Sequence, residues 1–139
     1  MGAVPRARDR RLRDTGSETV GLAILFPLAL LLILTIVQAG LLWHARNVLS
    51  GAAQSGVDTG RVLGAGTADA QDAALSFARR AGAGVVDDPA AAAVVSAETV
   101  QVSVSGTAQK VLPIPGVQFR FSMRATAAKE RFTVPGSAP

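Results

Sequence analysis

The sequence predicts an α+β protein hung on one long N-terminal helix, and three observations lead there. The stretch from Thr19 to Ala45 holds no Asp, Glu, Lys or Arg. A stripe of Ala and Phe at helical spacing follows between residues 68 and 81. Two later runs alternate apolar and polar residues with period two, the pattern of half-buried strands.

As a helix the apolar run is ~40 Å long, more than the ~30 Å hydrocarbon core of a bilayer. Eleven aliphatic residues between Leu22 and Val37 favour insertion, by roughly 3–7 kcal/mol before Pro27 and the polar residues take some back. A single segment can cross lipid only as a helix, because lipid offers no partner to unpaired backbone groups. A core helix of this apolarity needs more protein around it than the chain has left after Ala45. Pro27 removes a backbone donor inside the span, so a kink is expected near Ala23–Pro27. Trp43 suits the headgroup layer, and His44, the only histidine, reads as an interface residue beside it. Gln38 is a polar side chain in the outer half, able to bond across to another helix for ~0.6 kcal/mol.

Before the span, Met1 to Gly16 carries five Arg against two Asp, and no comparable basic cluster follows it. The positive-inside rule places this leader in the cytoplasm and the chain beyond about residue 46 outside. Arg10-Arg11 is reminiscent of a twin-arginine signal, but the apolar run is far longer than a signal peptide's core, which favours a retained anchor. The expected organisation is a cytoplasmic leader over 1–16, the span and its extracytoplasmic extension over 17–63, an α+β ectodomain over 64–130 and a disordered tail over 131–139.

Arg46 to Arg61 keeps helical spacing, with Val48, Leu49, Ala52, Ala53 and Val57 on one side. Either it is a frayed stalk, or the span continues as a packing helix whose small residues admit close neighbours. Thr67 is the expected N-cap of a second helix over Ala68–Ala81, with Asp69 and Asp72 early and Arg79-Arg80 late, matching the helix dipole. Its apolar stripe is Ala70, Ala74, Phe77, Ala78 and Ala81, and Gly82 and Gly84 end it. Asp87-Asp88-Pro89 marks a turn, and the alanines up to Val95 fit a short helix or a loop. Strands are expected over Glu98–Ser105, with Val100, Val102 and Val104 inward, and over Val117–Ala127, with Phe119, Phe121, Met123 and Ala125 inward. The connection Gly106–Gly116 holds two prolines and exposed Val111, Leu112 and Ile114, and an antiparallel pairing follows naturally. This pair packs on the second helix. With no Tyr and no Trp beyond the span, the core is light and leans on the long helix or on a partner.

Composition excludes several classes. Without cysteine there is no disulfide and no thiolate metal site. The pI near 11.0 arises from thinly spread Arg and Lys, and aromatics are too few for base stacking, so nucleic acid is not an expected partner. No nucleophile elbow, zinc-binding helix motif or phosphate loop occurs. Asp87-Asp88 before proline is ordinary turn chemistry. The chain is not expected to be an enzyme, and no catalytic, metal or cofactor-binding residue is assigned.

The order of these parts is pilin-like, and the segment G-S-E-T-V-G-L-A-I-L-F-P (Gly16–Pro27) sharpens it. It resembles the opening of TadE/TadG-like proteins, pseudopilins and associated components of the tight-adherence (Flp) type IV pilus machinery. Gly16, Val20, Ala23 and Pro27 match in register. The similarity continues through Gly40, Ala45-Arg46, Ala52-Ala53, Gly56 and Arg61, and Met123–Glu130 is similar to the family's last strand. The resemblance implies cleavage after Gly16 by a prepilin peptidase, leaving Ser17 as the new N-terminus. In the family a glutamate five residues after the cut pairs with a neighbouring subunit's amino group. Here that position is Gly21, with Leu22 in place of the following aromatic and Gln38 at the family's second acidic position. Glu18, three residues earlier and within about 60° on the helix surface, is a substitute.

The resemblance implies a minor pseudopilin or membrane-anchored assembly component, since the family's major subunits are little more than the helix. Its partners are then other pilin-like subunits, pilus platform proteins and membrane lipid. Candidate subunit-packing residues are Glu18, Gly21, Pro27, Gln38, Gly40, Arg46 and Gly56. A single-pass protein whose small outer domain binds an unrelated partner or ligand explains the topology equally well, but not the register of Gly16, Pro27, Gly40 and Arg46.

Overall fold

The computed structural model describes residues 11–130, with side chains from Thr19 onward. Helix α1 (Arg11–Gly60) is followed by α2 (Thr67–Ala81) and the strands β1 (Val86–Val95), β2 (Thr99–Ala108) and β3 (Phe119–Ala128). The strands form one antiparallel sheet in the order β1-β2-β3. The fold is α+β. The basic leader up to residue 10 and the tail from residue 131 lie outside the described residues.

The chain divides after Val37 into two compact units. Among the described residues the first is helix alone, and α1 continues through Pro27 without interruption. The second, from Gln38 onward, is the α+β head, and the rest of α1 is built into its core. Ala45, Val48, Leu49, Ala52, Ala53 and Val57 are all buried, the stripe expected at helical spacing. Residues 46–60 are therefore a packing helix and no frayed stalk.

The core is assembled from small residues. Buried Ala70, Ala74 and Ala78 of α2 meet Val100, Val102 and Val104 of the central strand in one cluster with the α1 stripe. Gly56 marks how close the elements come. A Cβ placed there would lie 2.8 Å from the Ala70 carbonyl oxygen and 2.9 Å from both Ala74 Cβ and Val102 Cγ1. Only glycine fits where α1, α2 and β2 converge.

Several local features differ from the sequence expectation. The N-cap of α2 is Gly66, whose N–H donates to the Asp69 carboxylate at 2.8 Å. Thr67 is already helical, one residue inside the cap, and Asp69 at N3 reaches back to the N-cap amide as the acidic half of a capping box. Ala81 is exposed rather than part of the stripe, since the chain turns away at buried Gly82 and Gly84 (φ 75°).

The alanine run is neither helix nor loop. It is β1, paired with β2 from Ala90↔Ser105 to Val95↔Val100. Ala91, Ala93 and Val95 turn inward and present little bulk to α2. Alanine is a weak strand former, but cross-strand pairing and burial override propensity. The Asp87-Asp88-Pro89 turn becomes a bulge between Asp87 and Ala90, with Asp88 at φ 49°. Asp tolerates that conformation, and proline on an edge strand gives up no needed ladder bond.

The period-two strands appear as expected, although β2 runs on through Gly106 to Ala108, which shortens the connection to residues 109–118. The closing end of β3 ties back to the loop after α1. The Glu130 N–H donates to the Arg61 carbonyl at 3.2 Å, Lys129 Nζ donates to the Ala65 carbonyl at 3.2 Å, and the Arg61 and Glu130 side chains pair at 3.5 Å. That ion pair is exposed and contributes little by itself.

Replacing Gly56 by Ala is expected to destabilise the head by about 1–3 kcal/mol, because backbone of α2 cannot move aside as a side chain tip would. Gly40, where an added Cβ meets nothing within 4 Å, is the control: Gly40→Ala leaves the transition unchanged or slightly raised. Thermal unfolding in detergent, followed by circular dichroism, reads both.

Candidate functional site

The surface available for function lies along the first unit. Between Val20 and Val37 the large side chains of α1 are exposed, Leu22, Ile24, Leu25, Phe26, Leu31 and Ile36 among them. None of the most apolar window of the helix is buried. Each such side chain left in water forgoes roughly 1.5–3 kcal/mol of burial. This surface therefore needs lipid or other helices around it. Its one hydroxyl near the outer end is already satisfied, with Thr35 Oγ1 donating to the Leu31 carbonyl at 2.8 Å. That matters where the surroundings offer no hydrogen bonds.

The candidate packing residues separate into two groups. Gly21 and Gly40 are open, with nothing within 4 Å of an added Cβ, and Pro27 and Arg46 are exposed. These four remain available to a neighbour. Gly56 and Gln38 are occupied within the chain. Gly56 is the core junction described above, so its smallness serves intramolecular packing, and its expected role between subunits gives way to that.

Gln38 is 4% exposed, and its carboxamide holds the β2–β3 connection rather than another helix. Its Oε1 accepts from the Val111 N–H at 2.7 Å and the Leu112 N–H at 3.3 Å, and its Nε2 donates to the Gln109 carbonyl at 3.2 Å. Glutamine alone among neutral side chains of this reach offers a donor and an acceptor together on a planar head, shared only with the shorter Asn. At 100° per residue Gly40 lies about 160° round the helix from Gln38, so one face of α1 holds the head and the other is left for partners.

Gly16, Ser17 and Glu18 belong to α1, but their side chains fall outside the described residues. His44 and Trp43 are exposed, Trp43 at 72%. Among the described residues no group of three His, Cys, Asp or Glu side chains is placed to hold a metal ion. Sequence reasoning did not find Gln109, Val111 and Leu112 as partners of Gln38. They lie 71 to 74 residues away, and no periodicity connects them.

Fold and surface together define a class: a long-helix protein whose α+β head closes on one half of the helix while the other half stays apolar and uncovered. The helix is compatible with a single membrane crossing. Residues 16–58 match the family described as TadE-like protein, so this segment, from the Gly16 motif through the packed extension, is TadE-like. The match points to a Tad pilus-associated component. No curated protein and no solved structure matches the chain.

Gln38→Leu, which keeps the bulk and removes both polar atoms, strands two buried-side amides and a carbonyl. The expected cost is about 1–3 kcal/mol. Hydrogen exchange at the Val111 and Leu112 amides is expected to accelerate well beyond that of β2, and equal rates in both proteins would refute the clamp.

Proposed function

We propose that the protein is a minor pseudopilin or membrane-anchored assembly component of a Flp/Tad-type pilus, and that it works by packing residues 19–37 against other pilin-like helices. One observation carries this reading: the same helix is uncovered and apolar up to Val37 and then committed to its own head from Gln38 onward. A helix needed only to stabilise the head would stop short of the apolar run. The TadE-like match over residues 16–58 supports the choice of neighbours.

In this reading the arginine-rich leader lies in the cytoplasm and the head outside. A prepilin peptidase removes residues 1–16, and Ser17 becomes the mature N-terminus. Gly21 supplies no carboxylate, so Glu18 is the acid that meets a neighbouring subunit's amino group. Open Gly21 and Gly40 let another helix approach closely. The head, too large for a subunit that is mostly helix, fits a minor role.

Two measurements test this. Mass spectrometry of the chain from cells with an active prepilin peptidase is expected to find Ser17 at the N-terminus; an intact leader would leave an anchored assembly factor and remove the processed form. A photoreactive residue at Ile24 is expected to cross-link to pilin-like subunits, and cross-links that never include a pilus component would overturn the assignment. Membrane residence has its own check. Leu31→Arg moves the central contribution by about 3–4 kcal/mol on the insertion scale, so the fraction resisting alkaline extraction should fall sharply.

A further inference from the structure

The β2–β3 connection, residues 109–118, is pinned at several points. Four of its eight backbone N–H groups and four of its ten carbonyls have partners within the chain. The Gln109 N–H donates to the Val85 carbonyl at 3.0 Å and the Ile114 N–H to the Leu112 carbonyl at 2.8 Å. Gln38 takes the Val111 and Leu112 amides and the Gln109 carbonyl. Lys110 Nζ donates to the Ile114 carbonyl at 3.4 Å and the Val117 carbonyl at 3.1 Å. Pro113 and Pro115 have no N–H to satisfy. Meanwhile the side chains point out: Val111 is 41%, Ile114 43% and Val117 36% exposed.

Its position supplies the reason. The clamp residue Gln38 directly follows Val37, where the uncovered apolar run ends. Residues 19–37 make a helix of ~28 Å, close to the ~30 Å of a hydrocarbon core. If that segment fills the core, Gln38 lies at its outer boundary, and a loop bonded to Gln38 lies there too. Trp43, about 7.5 Å further along the helix, then falls in the headgroup layer where indoles collect.

We infer that the β2–β3 connection is a lipid-contacting loop, which lays Val111, Ile114 and Val117 into the outer boundary of the bilayer beside the emerging helix. The occupant of this surface is the headgroup and acyl-chain boundary, and interfacial segments of this kind bury their apolar face about 5–10 Å deep. The amides of Val111, Leu112 and Ile114 already have partners within the chain, which acyl chains could not supply. The Lys110 ammonium, bonded to the Ile114 and Val117 carbonyls, supplies the positive charge that lipid phosphates attract. The head would thereby be held at a fixed height on the membrane before any partner is met. The inference rests on the reading of residues 19–37 as the span.

The natural chain has no cysteine, so single-cysteine variants report cleanly. The full chain is reconstituted into phosphatidylcholine–phosphatidylglycerol vesicles carrying nitroxide-labelled acyl chains, with a fluorophore at Ile114→Cys or Val111→Cys. Leu31→Cys reports the span. Val94→Cys, exposed on β1 at the hairpin end of the sheet, reports the solvent. Quenching several-fold stronger at Ile114 and Val111 than at Val94 is the expected result. Quenching at Leu31 but no more at Ile114 than at Val94 would overturn the loop contact and leave the span intact. An unquenched Leu31 would remove the span and the loop contact together. In native membranes a photoreactive group at Ile114 that cross-links to a second protein instead of lipid would also overturn the proposal.

Discussion

One helix has to satisfy two surroundings, and the rest of the structure follows from that. From Val20 to Val37 α1 presents large aliphatic groups outward; from Gln38 on, one side of the same helix is sealed by the head. The transition falls within a single residue step of a continuous helix. Within the head, residues 38–60 of α1 are held by side-chain packing and by the Gln38 carboxamide.

The head could not hold together without α1. Its largest fully buried side chains are Leu49, Val57, Val100, Val102 and Val104, and two of these belong to the long helix. A three-stranded sheet with one short helix offers too little apolar area to offset chain entropy. The shortage is met by closeness rather than bulk. Alanines on α2 and glycine at position 56 let α1 settle against both α2 and β2 at near-contact distance, which raises the dispersion gained per side chain.

Gln38 joins the structural and functional halves of the argument. The residue reads as a polar defect in an apolar run, the kind that pairs with a neighbouring helix. In the fold its polar atoms are consumed by the chain's own backbone, which leaves Gly21, Gly40 and the aliphatic side chains as the open groups of the helix. Packing between such helices is then governed by shape and small residues.

The sequence alone determined the apolar helix, its extension with the buried stripe from Val48 to Val57, the second helix and the two valine- and phenylalanine-patterned strands. Each of these announces itself through a period set by local geometry, 3.6 or 2 residues. The TadE-like segment was legible for a related reason: its residues are contiguous along α1. Tertiary structure decided what local pattern cannot encode. It made the alanine run a strand against alanine's helix preference, because pairing along the edge of β2 and burial beneath α2 outweighed it. It also turned Gly56 inward and gave Gln38 its loop, since both depend on chain that returns from tens of residues away, where only the closed fold brings the partners within reach.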